Sequence, residues 1–182
     1  MKKLNRNQQS VIPRLLESSA RGATRMRMFL MLMIMMMSSA FVMAQDSYGF
    51  KIADVEVTSE NCADLSVIDG VEGNLSYNPE TKTLTMEDVT INATDIEGIV
   101  NNVKDLKIEV VGNNTITTKK ACITIVNPST ISGSGTLRLK SSVNCGLYVK
   151  SSLTVEDVKL YAEGKWGIAG YDGKSGEILT LR

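Results

Sequence analysis

The eight residues LTMEDVTI, Leu84 to Ile91, return as LTVEDVKL, Leu153 to Leu160, 69 positions later. In each phrase the apolar residues are spaced two, three, two: Leu84, Met86, Val89, Ile91, then Leu153, Val155, Val158, Leu160. A spacing of two is a β-strand with one face inward. The step of three would turn the next strand outward unless the chain bends there. The phrase therefore predicts strand, corner, strand, with Glu-Asp on the corner and both strands facing one core. FKIADVEV, Phe50 to Val57, has the same spacing and predicts the same shape.

Looser copies fill the interval. LKIEVVGNNTIT offers Leu106, Ile108, a Gly-Asn corner and Ile116; STISGSGTLRL offers Ile131, a Ser-Gly corner, Leu137 and Leu139; EILTLR starts another. The anchors Met86, Ile108, Ile131 and Val155 are 22, 23 and 24 residues apart, and Ile99, Ile123, Leu147 and Ile168 are 24, 24 and 21 apart. Both series close on 69. A period near 23 with short strands and Gly/Asn/Ser corners marks a solenoid. Each coil holds about three strands and rises about 4.8 Å. A β-sandwich also has frequent short strands but does not require two ladders with one sum. A leucine-rich repeat lacks its Leu/Asn consensus here. The fold expected is all-β, a parallel β-helix of about four to five coils over 84–182, with an irregular N-terminal β cap over 45–83. In the cap, LSYNPETKTLTM predicts a hairpin turning at Asn78-Pro79-Glu80-Thr81. A solenoid needs such a cap to hide its open edge. At the other end ILTLR stops within a coil, so self-association or further coils are expected at Ile178–Arg182.

Residues 1–44 read as a secretory signal. Seven basic residues stand against Glu17, an apolar run follows from Met28, and small residues precede a cut after Ala44. The apolar stretch is short for a spanning helix, so no membrane span is expected after cleavage. Met26 also opens a compact signal and is an alternative start to Met1. The expected location is secreted, either periplasmic or at the cell surface and beyond. Without the signal, 13 basic residues face 19 acidic ones. That balance argues against nucleic acid as partner.

The chain contains no histidine. A serine or cysteine nucleophile would lack its usual base, and the expectation is a protein that is not an enzyme. Cys62, Cys122 and Cys145 have no CxxC spacing and no histidine partner for zinc. Cys122 and Cys145 lie one period apart. Alternation points Cys122 outward and Cys145 inward, which argues against a disulfide between them.

The stretches VTSENCADL, LSYNPETKTLTMEDVTI, GIVNNVKDLKIEVVGNNTIT and TISGSGTLRLKSS resemble secreted β-helix proteins of anaerobic, largely gut-dwelling bacteria, of the carbohydrate-binding-domain type with a pectate-lyase-like solenoid. The resemblance covers Ser47 to about Leu181. It implies a right-handed β-helix and polysaccharide as partner.

Among candidate site residues, Tyr148, Tyr161, Trp166 and Tyr171 cluster late in the chain. Tyr148 and Tyr161 each follow an inward residue and should face out, and Trp166 and Tyr171 flank GIAG. Outward aromatics stack on the apolar faces of sugar rings; the plainer reading is cover for the last coil's edge. No cofactor is required. If calcium is held, the carboxylates available are Asp64, Asp69 and Glu72 in the cap and Asp95 with Glu97. Glu87-Asp88 and Glu156-Asp157 share a corner but sit three coils apart, on the order of 14 Å, and read as solvated turns. Asn101, Asn102, Asn113, Asn114 and Asn127 fall at corners, where stacked amides bond one another. These features favour a non-catalytic glycan-binding module. The alternatives are a structural or adhesive solenoid and a lyase using the outward Arg138.

Overall fold

The corner of the repeated phrase is made by one residue in the left-handed region. Asp88 has φ 51° and Asp157 φ 58°, a conformation that aspartate tolerates better than most side chains. The chain turns there without losing a residue from the core. Leu84, Met86, Val89 and Ile91 are all fully buried, and Glu87 and Asp88 are exposed. The intervening coils turn at Gly112 (φ 67°) and Gly133 (φ 131°). A Cβ at Gly112 would overlap the Asp88 carboxylate, which accepts the Asn113 N–H at 2.7 Å. The acidic corner is thus a structural part of the turn above it.

The computed structural model describes residues 45–170 and 178–182, which belong to one unit, Gln45–Arg182. The expected signal peptide, 1–44, and Tyr171 lie outside the described residues. The cap contains β1 (Ser47–Ile52), β2 (Val55–Thr58), a single 3₁₀ turn at Leu65–Val67, and β3 (Val71–Asn78). β1 and β2 are antiparallel, with Ile52 opposite Val55. Ala53 and Asp54 both have positive φ (47° and 63°), the geometry of a two-residue hairpin turn. FKIADVEV is therefore a hairpin and not a coil corner, and Val55, expected inside, is 43% exposed. The second hairpin forms as expected. β3 pairs antiparallel with β4 (Thr83–Ala93) from Asn78↔Thr83 to Val71↔Ile91, and Asn78 Oδ1 accepts the Glu80 and Thr81 N–H groups.

The coils begin at β4 and have three faces. The first face stacks the N-terminal half of β4, β6 (Leu106–Val111), β9 (Ser129–Ser132), β12 (Leu153–Glu156) and β15 (Leu179–Leu181). The second stacks the C-terminal half of β4, β7 (Asn113–Thr118), β10 (Thr136–Ser141) and β13 (Lys159–Glu163). The third stacks β5 (Ile99–Asn101), β8 (Ile123–Ile125), β11 (Cys145–Val149) and β14 (Trp166–Gly170). All pairings among these strands are parallel, which makes a β-solenoid of about four turns. β3 covers the starting edge at β4, and β1 covers it at β5 by antiparallel pairing. The cap is therefore what protects the edge of the first coil.

The third-face ladder is as the sequence predicts: Ile99, Ile123, Leu147 and Ile168 are in register. On the first face Ile108, Ile131 and Val155 align, but Leu84 and not Met86 stacks on Ile108; Met86 pairs with Val110. Cys122 is fully buried in the core, contrary to the outward expectation, with its thiol 3.4 Å from the Ile116 carbonyl. The corner asparagines bond mainly backbone and not one another. Asn114 accepts the Val89 N–H at 2.9 Å and donates to the Val111 carbonyl at 2.8 Å. Asn127 donates to the Asn102 carbonyl. Asn101 bonds Val103 and the Ser129 hydroxyl.

Candidate functional site

Counting two positions back along the third-face ladder gives Glu97, Ala121, Cys145 and Trp166, and Cys145 pairs with Trp166 directly. By simple alternation this column would point inward, as the ladder does. It does not, because the chain bends between this column and the ladder. Cys122, one residue before inward Ile123, is itself in the core. Ala121 and Cys145 are buried yet stand outside the core cluster. With Glu97, Trp166, Tyr148, Asn144 and Ile168, they line a groove of about 510 Å³ at the third face. The inward expectation for Cys145 is therefore wrong, together with the outward one for Cys122.

Trp166 is 52% exposed, and the Lys165 ammonium lies 4.4 Å from its ring centroid. The Asn144 carbonyl accepts the Lys165 N–H at 2.8 Å and so fixes the approach of β14. Tyr148 is half-buried, with Lys150 5.2 Å from its ring. Glu97 accepts the Thr124 hydroxyl at 2.5 Å. Burial raises the Cys145 pKa, and the nearby Glu97 charge adds to the rise.

The other aromatics do not join this groove. Tyr161 faces out as expected, at 45% exposure, but on the second face, in register with Arg138, whose guanidinium lies 4.3 Å above its ring. The expected carboxylates are also dispersed. Asp64 caps the 3₁₀ turn, and the Ser66 hydroxyl and N–H hold its pKa down. Asp95 pairs with Lys119 at 2.7 Å, and Asp69 and Glu72 lie exposed in the cap. Among the described residues no three His, Cys, Asp or Glu side chains come together to hold a metal ion. No described helix is long and apolar enough to cross a membrane.

The three cysteines are free thiols. Burial pushes the Cys122 pKa up to about 12, and the thiolate is the reactive form. Alkylation of the native protein at mildly basic pH should therefore label half-buried Cys62 first and Cys122 last. Peptide mass mapping checks this; Cys122 labelled as fast as Cys62 would contradict the placement.

No family model, curated protein or solved structure matches the chain.

Proposed function

We propose that the protein is an exported, non-catalytic glycan-binding module whose site is the groove on the third face. The observation that carries this reading is that Tyr148 and Trp166 line one cavity. Two aromatic rings beside polar Asn144 and Glu97 suit a sugar, which has apolar C–H faces and polar edges. The resemblance to secreted carbohydrate-binding solenoids and the signal-like N-terminus support it.

The test is retention of purified protein on a polysaccharide array, with calcium and then with chelator. Trp166→Ala and Tyr148→Ala should each weaken binding about tenfold, the loss expected for about 1.5 kcal/mol of stacking. Tyr161→Ala, on the second face, should leave retention unchanged. A blank array from folded protein would sink the reading.

One observation favours a second reading, association through the final coil. Ile168, Leu179 and Leu181 are 41%, 39% and 67% exposed there. Sedimentation of wild type against Leu181→Lys would register it as a loss of assembly in the variant.

A further inference from the structure

The groove has a direction. Its floor column runs along the solenoid axis, one residue per coil: Glu97, Ala121, Cys145, Trp166. The two middle residues are small and the two end residues are large. Three strand spacings separate Trp166 from Glu97, on the order of 14 Å. The small pair leaves a trough between an aromatic plate at one end and a carboxylate at the other. The carboxylate is held in place by the Thr124 hydroxyl, which donates to Oε1 at 2.5 Å; Thr124 is itself buried. A carboxylate accepts hydrogen bonds without donating any.

We propose that the groove binds a neutral oligosaccharide lying parallel to the solenoid axis, with one ring stacked on Trp166 and hydroxyl groups several units away donating to Glu97. The inference rests on the glycan reading and adds its orientation, its minimum length and a residue that determines specificity. A transverse chain would cross the trough at one coil and reach only one of the two end groups. A uronic acid chain would bring carboxylates against Glu97, and like charges at that range repel. Of the cations near the site, Lys165 and Lys150 lie over the rings of Trp166 and Tyr148, and Lys120 lines a smaller cavity together with Glu97.

Calorimetry with neutral gluco-, xylo- and manno-oligosaccharides from monosaccharide to hexasaccharide, beside oligogalacturonides of matching length, tests this. Affinity for one neutral series should climb with length until the chain spans the trough, then level off. Glu97→Ala should lower affinity for the long members about tenfold, as expected when charge-assisted hydrogen bonds are lost, and leave the shortest binders unchanged. Trp166→Ala should weaken every member. Glu97→Gln keeps an acceptor for the Thr124 hydroxyl, and its thermal unfolding guards against a folding artefact; it should recover part of the long-chain affinity. A flat length dependence, an unaffected Glu97→Ala, or tighter binding of oligogalacturonides overturns the orientation while the glycan reading stands. No binding of any oligosaccharide, with a blank array, overturns both.

Discussion

Ile116→Ala should lower the unfolding free energy by about 3 kcal/mol, within the range measured for truncating fully buried aliphatic side chains. Ile116 is fully buried and stands in the second-face column between Ile91 and Leu139. Its Cγ2 also fills the space beside Gly98, where no Cβ fits. The backbone around it is tied to both neighbouring coils by parallel ladders, so the cavity has little freedom to collapse. That favours the middle of the range over the low end. In a chain of this size the midpoint temperature should fall by about 10 °C. Urea unfolding separates two outcomes, because a solenoid's stability is nearly a sum of coil and interface terms. An unchanged m-value with a lower midpoint means the coils still unfold together. A lower m-value means the stack has split at the second coil. A loss below about 1 kcal/mol would show that Ile116 is not packed as described.

The sequence makes this column legible because period-two alternation and a repeat near 23 agree. The same agreement identifies the third-face ladder and the Glu-Asp corners, and turn chemistry identifies the Asn78 hairpin. It fails where alternation has a degenerate answer. Leu84 and Met86 both point inward, as do Ile108 and Val110. Spacing alone cannot say which of each pair stacks, and anchoring the first face on Met86 is two residues out of register. It fails again where the chain bends just before the third-face ladder, at Gly98, Cys122, Gly146 and Gly167. Cys122 and Ile123 are consecutive inward residues, and alternation carried through that bend exchanges the faces of Cys122 and Cys145. The same hidden bend conceals the groove. Tyr148 and Trp166 are identifiable as candidates from composition, but Ala121, Cys145 and Asn144 carry no chemical signal. Glu97 is visible in the sequence only as a loose carboxylate. Tyr161 is their neighbour along the chain, but the corner at Asp157 sends it to another face.

Asn114→Leu shows how far pattern alone misleads. Asn114 is buried in a column whose other members are Val89, Leu137 and Leu160. By pattern, leucine continues that ladder, and burying its side chain contributes about 1.5–3 kcal/mol. The substitution also removes two hydrogen bonds. The Val89 N–H donates to Asn114 Oδ1, and Asn114 Nδ2 donates to the Val111 carbonyl. These backbone groups flank the corners at Asp88 and Gly112, where the turn interrupts the regular ladder. Leaving the buried Val89 N–H unsatisfied costs about 1–3 kcal/mol, and the part-buried Val111 carbonyl also loses its partner. Leucine is also branched where the amide is flat, and it enters a site packed for the smaller side chain, which costs about 1–3 kcal/mol more. The penalties outweigh the gain, and Asn114→Leu should destabilise by about 2 kcal/mol. Asn114→Asp separates the two bonds, since a carboxylate still accepts from Val89 but cannot donate to Val111. Hydrogen exchange at the Val89 amide gives the local readout: faster exchange in Asn114→Leu and continued protection in Asn114→Asp. A leucine variant at least as stable as wild type would mean that apolar stacking, and not the amide, holds the corner.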